Sequence, residues 1–289
     1  MGNVRAYLAI QACTVLFGLS ALMGEQIHSD ITTVVFGRGM FALVFLGALL
    51  CLFDRTRAGI PWRDKSKLLL NGALLAGHWF CFFMGVKEGG VAIGTLGFAT
   101  FPAFVIMIEA ALFHKKPAFF DILLMAMIVA GVYILAPMNR ESAGSLTGLL
   151  WALGSGVIHA LVIIFNRYLR VQATAIQSSW WQCLGCALVT LPGGIAGLVN
   201  SSGHDLVFIG LLGVLCTGLA YWMLTWGLRT LQASTVSMMI VLEPVYALLL
   251  AWIFLHQQPG GQTLIGAVLI IGASVLSVWL PARRRGLTD

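Results

Sequence analysis

The chain has 289 residues, 59% of them hydrophobic and only 10% charged, with a formal net charge of +6. A soluble domain carries about 25% charged residues, so this composition excludes a fold that meets water on every side. The positive charge does not point to nucleic acid, because the lysines and arginines stand almost entirely at the ends of apolar runs, where they set membrane topology.

Ten apolar runs follow one another, at 4–24, 31–53, 68–86, 91–113, 119–137, 145–166, 176–199, 206–227, 233–255 and 262–280. Runs of about 20 residues match a hydrocarbon core of about 30 Å. Lipid offers no water to unpaired backbone groups, so each run is predicted to be a helix. The short alternating segments of barrel strands do not occur. The expected fold is therefore an all-α integral membrane protein with ten transmembrane helices. The first run has the outline of a signal peptide, with Arg5, an apolar stretch and small residues near Ala21. It is read as the first helix instead, because the repeat described below requires it.

All six cysteines lie inside apolar runs. Cys183 and Cys186 form a C-x-x-C one helical turn long, without companion ligands, and are read as packing. No metal and no cofactor is expected. With the N-terminus inside, fourteen basic residues fall on inner segments, and only Lys87 and Arg140 on outer ones, while Arg38 lies within the second run. The positive-inside rule then puts both termini in the cytoplasm and the chain, multi-pass, in the cytoplasmic (inner) membrane.

An internal repeat has an offset of 142 residues. It aligns "GVKEGG" at 85–90 with "GLRTLQ" at 227–232, Phe101-Pro102 with Glu243-Pro244, and "HKKP" at 114–117 with "HQQP" at 256–259. Each unit holds five spans, an odd number, so the second copy is upside down. The charges agree: "DRTRAGIPWRDKSK" is basic where its counterpart "LVNSSGHD" is not, and "HKKP" loses both lysines in "HQQP". The predicted units are 1–140 and 141–289.

With Arg38 early in the second span and "FP…LFHKKP" and "EP…FLHQQP" in the fourth and ninth, the chain resembles the EamA-type transporters of the drug/metabolite transporter (DMT) superfamily over essentially its whole length. Members often carry an acidic residue in the turn after the fourth and ninth spans, where this chain has His-Lys-Lys and His-Gln-Gln. That turn is read as structural. The resemblance implies a central cavity lined by the first four helices of each repeat, peripheral fifth and tenth helices, and transport of small metabolites, often export.

Transporters built from inverted repeats place their sites near the midplane, where matching helices are interrupted. Pro102 and Pro244 form such a pair and are expected to free a carbonyl one turn earlier, as gating helix breaks. At about 1.5 Å per residue, Arg38, His78, Glu243, Gln11, His159 and Tyr221 fall between about 10 and 22 Å from the outer end of their spans. Glu109 lies deeper, near the inner surface, within reach of headgroups. A charge at the centre of a span costs about 2.5–3.5 kcal/mol on insertion scales. A leucine returns about 0.5 kcal/mol. Glu243 therefore faces a polar interior.

Two readings of that layer stand side by side. Arg38 and Glu243 form a structural ion pair, or Arg38 holds a substrate carboxylate while Glu243 takes a proton or a substrate ammonium. His78 and His159 are relay groups or hydrogen-bonded interior histidines. Trp79, with the repeat-related Tyr221 and Trp222, stacks on substrate or packs between helices. Gly148, Ala152, Gly156 and Ala160 make a small-residue ridge that lets another helix approach.

The predicted function is a secondary transporter working by alternating access on a small polar or amphipathic metabolite, an amino acid or related zwitterion or cation, in the export direction. Protons are the candidate coupling ion, membrane lipids the other partner, and a monomer or homodimer the assembly. A membrane-embedded enzyme and a channel or lipid scramblase are the competing readings. Against the enzyme, the chain has no H-E-x-x-H and no G-x-S-x-G.

Overall fold

The computed structural model describes residues 2–53, 59–112, 119–135, 143–168, 171–228, 231, 239–240 and 242–285. Among the described residues every regular element is a helix: α1 (Gly2–Gln26), α2 (Ile31–Phe53), α3 (Trp62–Phe98), α4 (Phe101–Leu112), α5 (Phe119–Leu135), α6 (Ala143–Tyr168), α7 (Ala175–Asn200), α8 (Gly203–Gly213), a π-helical segment (Val214–Leu219), α9 (Ala220–Leu228), α10 (Glu243–Leu255) and α11 (Gly261–Arg285). Six stretches of described helix are long and apolar enough to cross a membrane, and 122–134, 243–255 and 261–273 form shorter apolar helices. The turn "HKKP" at 114–117 and positions 229, 230 and 232 lie outside the described residues, as do the side chains of Pro102 and Glu109.

Helix α3 contains two predicted spans. Gly90 separates them with φ 78° and ψ 168°, a conformation essentially reserved for glycine. The fourth span is itself broken, because α3 ends at Phe98 and α4 begins at Phe101. In the ninth, Met239 and Ile240 are helical, Leu242 is a turn residue and α10 begins at Glu243. The two breaks share their hydrogen bonds at the 142-residue offset. Thr100 N–H donates to Gly97 O and Ala103 N–H to Thr100 O; Leu242 N–H donates to Met239 O and Val245 N–H to Leu242 O.

This geometry locates the prolines within the broken spans. Pro102 and Pro244 do not sit inside a continuous helix. Each is the second residue of a new helix, where its missing N–H costs nothing and its fixed φ suits the first turn. The interruption precedes the proline.

Packing follows small residues, as expected where lipid removes the hydrophobic drive between helices. Helix α3 runs along α6, α2 along α7, and α5 along α11. The predicted ridge on α6 is used. A Cβ on Gly148 would come within 2.4 Å of Gly89 N, and one on Gly85 within 3.1 Å of Ala152 Cβ. Exchanging the two halves maps these contacts onto themselves: α2–α7 and α5–α11 are their own images, α3–α6 corresponds to α1 with α8–α9, and α4–α6 to α1–α10. Helices α5 and α11 pack chiefly on each other. Large apolar side chains such as Val44, Val129, Val207 and Phe254 are exposed, as a lipid-facing surface requires.

The ends of the bundle are closed by polar contacts between the halves. At one end Asp205 of α8 accepts from the backbone N–H groups of His28 (3.1 Å) and Ser29 (2.7 Å). Lys87 Nζ donates to Ser29 O and Gln257 Nε2 to Glu25 Oε1 there. At the other end Gln172 N–H donates to Asp64 Oδ2 at 2.9 Å.

Candidate functional site

Helix α10 starts at Glu243 and ends near the Asp205 end. Its 13 residues place Glu243 about 19 Å from that end. Glu243 is 7% exposed. It sits in the first turn of α10, where unpaired N–H groups and the helix dipole favour a negative charge. Gly18 of α1 lies beneath it, and a Cβ there would meet Glu243 O at 3.1 Å. One turn on, Tyr246 takes a hydrogen bond from Gln11 of α1. Gln11 thus joins the break through a residue that the sequence did not single out.

Arg38 is buried on α2. Its Nε donates to Thr217 Oγ1 at 2.6 Å and its Nη2 to Cys216 O at 3.4 Å. The guanidinium lies 4.1 Å above the centre of the Trp79 ring, with Phe83 at 5.6 Å. Thr217 belongs to the π-helical segment, and its hydroxyl donates to Leu212 O five residues back. The wider turn leaves a hydroxyl oxygen and a carbonyl facing α2, a use of π geometry common at functional positions. Among the described residues the ion pairs are His28–Asp205, Lys67–Asp64 and His204–Asp205. Arg38 and Glu243 are not paired, so the strut reading of these two residues lacks its contact.

His78 and Trp79 are neighbours on α3 but serve different faces. Trp79 turns to Arg38. His78 turns to α6, with Nδ1 2.8 Å from Ser155 Oγ and 3.3 Å from Ser155 O. Its ring centre is 4.6 Å from that of His159. His159 packs against Phe98 at 5.1 Å and Phe101 at 5.2 Å, the residues flanking the first break. His159 Nδ1 is buried without a hydrogen-bond partner. Tyr221 meets Phe17 edge-on at 6.0 Å, whereas Trp222 is 38% exposed.

The predicted residues therefore resolve into three groups at two helix breaks and one π segment: Glu243 with Gln11, Arg38 with Trp79, and His78 with His159. Thr217, Ser155 and Tyr246 complete them. Ser and Thr hydroxyls inside helices cost little, because they can bond to their own backbone, and a tyrosine is largely apolar, so no hydropathy anomaly marks these residues in the sequence. A surface depression lined by Gly89, Gly90, Gln257, Pro259 and Thr263 lies at the end of α10 remote from Glu243 and carries no titratable group.

The pattern of the EamA-like transporter family matches residues 4–136 and, a second time, residues 146–279. The chain belongs to the EamA-like transporter family. Similar proteins include the uncharacterized transporter YxxF of Bacillus subtilis (strain 168), 22% identical over 94% of this chain and 88% of that protein. YoaV of the same strain, also named an uncharacterized transporter, is 24% identical over 98% of this chain and 99% of its own length. An uncharacterized transporter of Archaeoglobus fulgidus is 24% identical over 94% of this chain and 95% of that protein. A crystal structure 19% identical covers 98% of each chain with a TM-score of 0.59, which supports the fold. This EamA-family chain is accordingly a multi-pass membrane protein of a transporter family, with a small molecule as its substrate class.

Proposed function

We propose that the chain is a ten-helix alternating-access carrier, built as two inverted five-helix units over 1–140 and 141–289. It exports an amino acid or a related zwitterion or cation across the cytoplasmic membrane, with both termini in the cytoplasm. The twofold family match, the self-mapping helix contacts and the matched hydrogen bonds of the two breaks support the inverted architecture.

The observation that carries the reading is Glu243. It is a buried carboxylate at the break of a spanning helix, with no ion-pair partner among the described residues. A buried carboxylate in a membrane span with no ion-pair contact is a candidate for binding a mobile cation. A substrate ammonium or a proton supplies it. Arg38, oriented by Thr217 and Trp79, keeps guanidinium N–H groups for a substrate carboxylate. Gln11, Tyr221 and Trp222 border the path, His78 and His159 relay protons beside the first break, and Pro102 and Pro244 fix where the two broken helices resume.

Counterflow in proteoliposomes tests this. Vesicles loaded with an unlabelled amino acid should accumulate the labelled one transiently and saturably. Flux that rises linearly with concentration, with no counterflow for any amino acid or amine, would give the channel or scramblase reading instead.

A further inference from the structure

Three potential ligands meet at one end of the bundle, well away from Glu243: His28 in the α1–α2 turn, and His204 and Asp205 in the first turn of α8. One ligand atom from each lies within 4.8 Å of the others. His28 Nδ1 is 3.6 Å and His204 Nδ1 3.4 Å from Asp205 Oδ1. Bonds of about 2.0–2.2 Å in a tetrahedral zinc site separate neighbouring ligand atoms by about 3.3–3.5 Å. The two His–Asp separations fall within or just beyond that range and the His28–His204 separation is within 4.8 Å, so rotation of the two exposed imidazoles closes the site.

Asp205 is also held in place. Ser29 donates to its Oδ2 from both N–H (2.7 Å) and Oγ (2.6 Å), and the His28 N–H donates to Oδ1 at 3.1 Å. Such contacts orient a first ligand and are typical around metal sites. The imidazoles themselves are open: the side chains of His28 and His204 are 85% and 50% exposed, against 4% for Asp205. A cation therefore reaches the site from water and meets one buried, fixed carboxylate and two mobile imidazoles. Imidazole with carboxylate suits zinc and its neighbours nickel and copper, and not magnesium or calcium.

We propose that His28, His204 and Asp205 bind a divalent transition-metal ion of the zinc type, with water as fourth ligand. The ion ties the α1–α2 turn of the first half to α8 of the second. Sequence spacing hid this site, because its histidines are 176 positions apart and no motif links them.

The test uses the full-length protein in nanodiscs, stripped with a chelator, in a His256→Ala background that removes a further exposed histidine. Zinc titration by calorimetry and thermal unfolding with and without zinc are read together. The proposal expects one saturable zinc site that raises the unfolding temperature. His28→Ala and His204→Ala should each weaken it by about tenfold or more, the double variant should abolish it, and magnesium should not replace zinc. Asp205 is left intact because the fold uses it. Zinc binding unchanged in the double variant, or none in the parent, overturns the proposal and leaves an ordinary hydrogen-bonded cluster.

Discussion

At the residue scale, Glu243 and Asp30 show how surroundings decide what a carboxylate does. Glu243 begins α10 with no ion-pair partner among the described residues, the observation on which its proposed role as a proton or ammonium site rests. Glu243→Gln keeps the shape and removes the titration. It should leave insertion intact and abolish the pH dependence of transport in proteoliposomes; a wild-type pH profile in that variant would mean that the carboxylate carries no exchangeable proton or cation. Asp30 is a fixed cap. Its Oδ1 accepts the Thr33 N–H at 3.0 Å at the start of α2. Partial burial pushes its carboxyl up, but the Thr33 hydroxyl and the Thr33 and Thr32 amides outweigh this and hold it below the usual carboxylate range. A depressed folded value means that the stabilisation is present above the unfolded value, about 3.9, and is lost as pH falls through the folded one. Asp30→Ala should therefore cost about 1 kcal/mol at neutral pH. The deficit, followed by thermal unfolding, should shrink on acidification.

At the element scale, the two breaks and the α3–α6 seam are the features to perturb. Both prolines stand at the second position of the helix that follows a break. Alanine at either position lets the helix on each side extend through the turn. Pro102→Ala and Pro244→Ala should each slow transport with near-normal expression, while Pro61→Ala at the start of α3 should not. Equal damage from Pro61→Ala would remove the case for matched breaks. The seam makes a different demand. Gly148→Leu drives a side chain into the backbone of Gly89, which a Cβ alone would meet at 2.4 Å. Overpacking of this kind costs about 1–3 kcal/mol, to be read as a lower unfolding temperature of the purified protein.

At the scale of the whole molecule, the halves touch through polar contacts at both ends and small-residue seams between. A carrier that exposes its site alternately must open its two ends in turn. Ser29 Oγ of the first half and Ser201 Oγ of the second are 3.0 Å apart at the Asp205 end. A Ser29→Cys/Ser201→Cys pair should form a disulfide under mild oxidation that stops transport, and reductant should restore it. Full transport by the quantitatively cross-linked protein would show that this end need not open.

The sequence by itself determined the membrane class, the family and two charged residues, Arg38 and Glu243, that are buried within the helices. Apolar length and the penalty for charge in lipid act residue by residue, so Arg38 and Glu243 stand out in hydropathy without any structure. The 142-residue offset was legible too, because Phe101-Pro102 and Glu243-Pro244 recur in register. The tertiary structure decided what neutral groups and loops do. Thr217 matters because a π turn aims it at Arg38, Ser155 because α6 lies against His78, and Tyr246 because α1 crosses α10 at Gln11. The same packing sends the adjacent His78 and Trp79 to different partners, and it brings His28 to Asp205 across 177 residues. Solvation cost is a local property written along the chain, whereas these contacts are pairwise and exist only once the helices are packed.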